Sequence, residues 1–91
     1  MAFKEMVKMK LLDVQLQHAR TGDSYNLSRT IGVSRSNLFK MFNELKYAGA
    51  EISFDSKNIT YYYRNDFTID FRINIQNSKV LEFNDLEKIF I

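Results

Sequence analysis

Apolar positions along the chain follow two periods, and the changeover falls at Gly49. Before it, apolar residues recur every three to four positions, as on one face of an α-helix. After it they alternate, as on a β-strand. Three glycines and no prolines punctuate the sequence. Gly22 follows "LLDVQLQHART", Gly32 follows "YNLSRTI", and Gly49 follows "SNLFKMFNELKYA". Glycine just past a helix adopts the left-handed cap at little steric cost. The pattern therefore predicts helices over about 4–20, 24–31 and 35–48. Asp23 and Ser24 stand where the second helix needs a cap. Ser34 stands where the third does, its hydroxyl facing a free backbone N–H.

Beyond Gly49, "EISFD" alternates, "SKNI" supplies polar turn residues and "TYYYR" returns, which reads as a hairpin over 51–64. Asn58 is followed by Ile59 rather than glycine, so the turn chemistry is not the strongest. In "FTIDFRINIQ", Phe67, Ile69, Phe71, Ile73 and Ile75 share one face and polar residues share the other. One long strand is expected there. The tail "NDLEKIFI" reads as a short helix capped by Asn84, with Glu87 completing a capping box.

The helix faces carry more information than the elements alone. On the third helix, Leu38, Met41, Phe42 and Leu45 cluster on one side, with Ser36, Lys40 and Asn43 opposite and Arg35 on the flank. Leu27 and Ile31 of the second helix point to the same core, and Ser28 is small enough to let the third helix cross closely. The first helix has two apolar lines. Met9, Leu12, Leu16 and Ala19 form one; Phe3, Val7, Leu11 and Val14 form the other. One line covers the helical core. The second needs the C-terminal segment, either of the same chain or of a second copy in a homodimer.

Composition bounds the remaining possibilities. The chain has 91 residues, is 45% hydrophobic and 26% charged, and contains eight phenylalanines and five tyrosines. That is the make-up of one small folded domain. It has no cysteine, which excludes disulfides and thiolate chemistry. No apolar run approaches the roughly 20 residues that span a bilayer, and the N-terminus lacks a secretory pattern, so a cytoplasmic protein is expected. The net charge of +2 is uneven: residues 1–50 carry eight Lys/Arg against four Asp/Glu, and residues 51–91 five against seven. An anionic partner would meet the N-terminal half.

A tight glycine turn between two helices, a second helix with its back anchored, and a front that is polar and basic through two turns all suit the major groove of B-DNA. The stretch "GVSRSNLFK" with Leu38 inward, followed by "ISFDSKNITYYY", resembles the winged helix-turn-helix domains of small bacterial transcription regulators. It is similar to the N-terminal domains of deoxyribose-operon and biotin repressors. The resemblance covers roughly Leu11 to Tyr63. It implies an α+β fold: a three-helix core with a β-hairpin wing over 1–65, to which this chain adds a C-terminal strand and short tail over 66–91. It also implies sequence-specific binding of double-stranded DNA, with the third helix in the major groove and the wing on the backbone or minor groove. Carried across, the DNA-binding residues are Ser34, Arg35, Ser36, Asn37, Lys40 and Asn43 on that helix, Lys57 and Asn58 at the wing tip, and Arg29 nearby. Two departures stand out: Ser28 where many members have alanine, and no ligand-sensing domain after Arg64.

Other readings stay open at this point. The same fold serves protein-interaction modules and RNA-binding or replication-associated modules. Phe39, beside the polar face, either meets a thymine methyl or packs on the C-terminal segment. Tyr61 and Tyr63 are expected toward the core and Tyr62 outward. His18 is the only histidine and has no spaced acidic partner. No metal site, cofactor or catalytic arrangement is expected, so the chain reads as a binding protein rather than an enzyme.

Overall fold

The computed structural model describes residues 3–70 in full and, beyond them, the backbone of residues 72–75 and 79–82. Three helices come first: α1 (Phe3–His18), α2 (Ser24–Ile31) and α3 (Arg35–Tyr47). An antiparallel hairpin follows, β1 (Ile52–Asp55) with β2 (Thr60–Tyr63), paired Ile52 to Tyr63 and Phe54 to Tyr61. A second antiparallel pair, β3 (Arg72–Ile75) with β4 (Lys79–Glu82), joins Arg72 to Glu82. The domain is thus a small α+β unit of three helices and a hairpin, extended by a second strand pair. The tail helix expected over 84–91 lies outside the described residues.

The caps explain the helix limits. Asp23 accepts from the Asn26 N–H at 2.9 Å and begins α2. Ser34 accepts from the Asn37 N–H at 3.1 Å and begins α3. Gly32, at φ +82°, ends α2 in the left-handed conformation, so its own N–H and that of Val33 both donate to the Ser28 carbonyl. A Cβ at Gly32 would meet nothing within 4 Å. Glycine is needed there for backbone conformation, not for space. At the end of α3, Ala50 N–H donates to Leu45 and Gly49 N–H to Lys46. This double closure brings Ala50 and Leu45 into the core together.

The first helix departs from expectation. It ends at His18, and the left-handed residue that closes it is Ala19, at φ 52°, although Gly22 is left-handed too, at φ 71°. Gly22 serves the next turn instead, where a Cβ would come within 3.1 Å of the Asn26 Cβ. Packing decided this over propensity. Thr21 has to sit against β2, where it donates its N–H to the Thr60 hydroxyl at 3.0 Å and accepts from Tyr61 N–H at 2.8 Å. Both threonines are buried, so this hydroxyl pair ties the α1–α2 connection to the hairpin.

The core is Met9, Leu12 and Leu16 of α1, Leu27 and Ile31 of α2, Leu38, Met41, Phe42 and Leu45 of α3, and Ala50. Leu11, Val33, Ile52, Tyr61, Tyr63, Phe67 and Ile69 pack around it. The expected alternation after Asp66 survives in burial, with Phe67 and Ile69 inward and Thr68 and Asp70 exposed. The expected single strand over 67–76 does not. Residues 66–70 have no strand partner, and the strand begins at Arg72.

The reason is Asp13. Its carboxylate is fully buried in α1, at 0% exposure. It accepts from Lys10 Nζ at 3.0 Å, Gln17 Nε2 at 3.0 Å, Tyr63 Oη at 2.7 Å, Thr68 Oγ1 at 3.2 Å and the Ile69 N–H at 3.2 Å. Lys10, itself only 5% exposed, donates also to the Ile69 carbonyl at 2.8 Å. Backbone groups that would have paired with a strand are satisfied by α1 side chains. Burial, and then the bond to Asp13, push the Tyr63 hydroxyl far above the ordinary tyrosine range. A tyrosine in the unfolded chain ionises near pH 10, while folded Tyr63 resists ionising. This group's contribution to stability should therefore hold below about pH 10 and fall as pH rises beyond it. Urea midpoints followed upward from pH 8 should drop less steeply above pH 10 in Tyr63→Phe than in the natural chain.

The hairpin turn contains a strained residue. Ile59 is in the left-handed region at φ 52° and is 55% exposed. A β-branched side chain resists that conformation. Ile59→Gly should raise stability by about 0.5–1 kcal/mol, strain relief outweighing the added freedom of the unfolded chain. A higher thermal midpoint checks this; a lower one means that Ile59 packing outweighs its strain.

Candidate nucleic-acid interface

Four buried residues of α3 fix which of its side chains face water. With Leu38, Met41, Phe42 and Leu45 inward, Ser36, Lys40 and Asn43 form the outward face, and all three are exposed. Lys40 has no acidic partner among the described residues. The exposed face carries no acid until Glu44. The helix begins on a side-chain cap, and its first turn holds no carboxylate, so its N-terminal partial positive charge is not offset locally.

The other expected contact residues divide by position. Ser34 is exposed, but its hydroxyl is committed to the Asn37 N–H. Asn37 is exposed on the flank facing α1. There it lines a groove of about 220 Å³ with Glu5, Lys8, Met9, Val33, Met41 and Glu44. Across this groove Lys8 Nζ donates to the Gly32 carbonyl at 3.0 Å, placing a cation at the C-terminal end of α2. Arg29 is exposed in the last turn of α2.

Arg35 is held on the opposite flank. Its Nε donates to Ser24 Oγ at 3.0 Å, and its guanidinium carbon lies 3.9 Å from the Tyr25 ring centroid. Both partners come from the first turn of α2, so the arginine bridges the two helices across the Gly32 turn. Among the described residues no acceptor engages its terminal nitrogens, and the side chain stays exposed. An arginine with its stem and Nε fixed loses little freedom on meeting an acceptor.

At the hairpin tip the two expected residues differ. Asp55 accepts from the backbone N–H of Lys57 at 2.9 Å and of Asn58 at 3.3 Å, and from Asn58 Nδ2 at 2.7 Å. The side-chain bond from Asn58, then its backbone bond, hold the Asp55 carboxyl below its ordinary range. One N–H of the Asn58 amide is therefore engaged within the turn. The Lys57 ammonium has no acidic partner among the described residues. The base of the hairpin is fixed to the end of α3, because Asn65 accepts from Glu51 N–H at 3.0 Å and donates to the Gly49 carbonyl at 2.9 Å.

The structure thus brings Ser36, Lys40 and Asn43 onto one helix face and Arg35 beside it. Asn37 turns toward α1, and Lys57 and Asn58 sit on a separate element. The role of Tyr25 was not legible in the sequence, since only the folded turn sets it under Arg35. Asp13 left a signal: a carboxylate three residues after Lys10 and four before Gln17, inside the line Met9, Leu12, Leu16. Among the described residues no group of three or more metal-ligating side chains converges, and no helix is long and apolar enough to cross a membrane. Comparison with protein-family models, with curated proteins and with solved structures gives no match.

Proposed function

We propose that this chain is a winged helix-turn-helix protein that binds double-stranded DNA, with the exposed face of α3 entering the major groove and Lys57 meeting the backbone from the hairpin. The supporting observation is the outward face of α3. Ser36, Lys40 and Asn43 are exposed, have hydrogen-bonding chemistry suited to base edges and phosphates, and sit on a helix whose opposite side is locked in the core. Arg35, oriented by Ser24 and Tyr25, stands at the helix start, where guanine acceptors or a phosphate come within reach. Regulation of transcription is the role proposed for it, in which a second copy would present a paired helix to a two-fold site.

Gel-shift titration of the purified chain tests the assignment. Lys40→Ala and Arg35→Ala should each weaken binding by about 1–3 kcal/mol if they read a base, and by less, with a shallower salt slope, if they meet phosphate. Folding stability should barely change in Lys40→Ala, because the side chain is exposed. Unchanged affinity in both variants ends the assignment of α3 as the contact surface.

A further inference from the structure

Three of the exposed aromatic side chains border the cationic side of α3, and one of them, Tyr25, already underlies Arg35. Tyr25 is 59% exposed, Phe39 40% and Phe54 44%. Ring contacts join Phe39 to Phe54 through the core, and Tyr25 with Arg35 stands one helical turn from Phe39. Arg35 stacks over Tyr25, and Phe39 follows Arg35 by one turn on the same flank of α3. Phe39 meets buried Phe42 edge-on at 5.9 Å. Phe42 meets Tyr61 at 4.9 Å, and Tyr61 meets its cross-strand partner Phe54 at 4.8 Å. Planar groups therefore run from the first turn of α2, along α3, to the hairpin. Phe42 in the middle is buried, so the exposed ends are supported by the core.

The charges along this series are cationic. Arg35 is part of it, Lys40 adjoins Phe39, and Lys57 lies at the tip of the hairpin that carries Phe54. The exception is Asp55 beside Phe54, whose carboxylate stays charged while the turn's own N–H groups orient it. A partner for such a surface needs flat apolar faces together with negative charge. Nucleotides supply both, but only where a base has left the stack, since a paired duplex presents edges in its grooves and hides its faces.

We infer that the flank of α3 bearing Phe39, continued by Phe54, takes unpaired nucleotides. The preferred ligand is then a DNA duplex with an adjoining single-stranded stretch, its paired part met by Arg35 and Lys40, its unpaired bases stacked on Phe39 and Phe54 and their phosphates met by Lys57. This deepens the proposed function and rests on α3 being the nucleic-acid surface.

Fluorescence anisotropy of the full chain tests it with three probes: a mixed-sequence duplex, the same duplex with an oligo-dT overhang, and oligo-dT alone. The overhang probe should bind roughly ten-fold tighter than the blunt duplex, the scale of one stacked base. Phe39→Leu and Phe54→Leu keep apolar bulk but remove the ring. Each should reduce that preference several-fold, Phe54→Leu while leaving blunt-duplex affinity unchanged, and Phe39→Tyr should keep it. No preference for the overhang, or a preference that survives both leucine variants, overturns the inference. Blunt-duplex binding that still depends on Lys40 would leave the DNA reading standing in that case. Failure to bind any of the three probes overturns both.

Discussion

Asp13→Ala should cost about 3–5 kcal/mol of folding stability, a large share of the roughly 5–15 kcal/mol available to a domain of this kind. The substitution removes the acceptor of five donors at once and leaves Lys10 buried without its counter-charge. Lys10 keeps its bond to the Ile69 carbonyl, but a carbonyl does not neutralise an ammonium. Replacing both charges, as Lys10→Met with Asp13→Leu, should recover part of the loss. The unpaired buried charge is then gone. Recovery should stay incomplete, because Tyr63 Oη and the Ile69 N–H still lack an acceptor, at about 1–3 kcal/mol for each group kept from water. Urea denaturation of the three chains measures this. A loss under about 1 kcal/mol in Asp13→Ala would mean that the segment over 66–70 is held by Phe67 and Ile69 alone.

Leu38→Ala should be the other large effect, about 2–5 kcal/mol. Leu38 is fully buried in the first turns of α3 and belongs to the cluster that joins α1, α2 and α3. Truncation removes apolar contact and leaves a cavity in a small core with little to collapse into it. The comparison with Lys40→Ala is informative, because the two residues lie on opposite sides of one helix. Leu38→Ala should lower the denaturation midpoint, whereas Lys40→Ala should leave it within about 0.5 kcal/mol. If Leu38→Ala is equally mild, α3 is not anchored as its burial indicates.

Much of this architecture was written in local chemistry. Asp23, Ser34, Gly32 and Gly49 fix the ends of α2 and α3 through short-range bonds, so periodicity and capping residues located them to within a residue or so. The buried side of α3 followed from the same spacing. What sequence reading missed depends on contacts between distant residues. Ala19 took the left-handed position because Thr21 meets Thr60, 39 residues away. The alternation reported the correct faces over 67–70, but Asp13, more than fifty residues upstream, engages Thr68 and Ile69 in place of a strand partner. At the candidate interface, the residue types of α3 were legible. The setting of Arg35 over Tyr25 and the use of Asn58 within its own turn were not, because each needs the turn to be folded first.

The central claim is that the Ser36, Lys40 and Asn43 face of α3 recognises DNA. Selection from a random pool of duplexes with the purified chain, read by sequencing and repeated with Lys40→Ala, tests it most directly. The account predicts an enriched motif that weakens or vanishes in the variant. A pool that stays unenriched, or a motif that Lys40→Ala leaves intact, contradicts it.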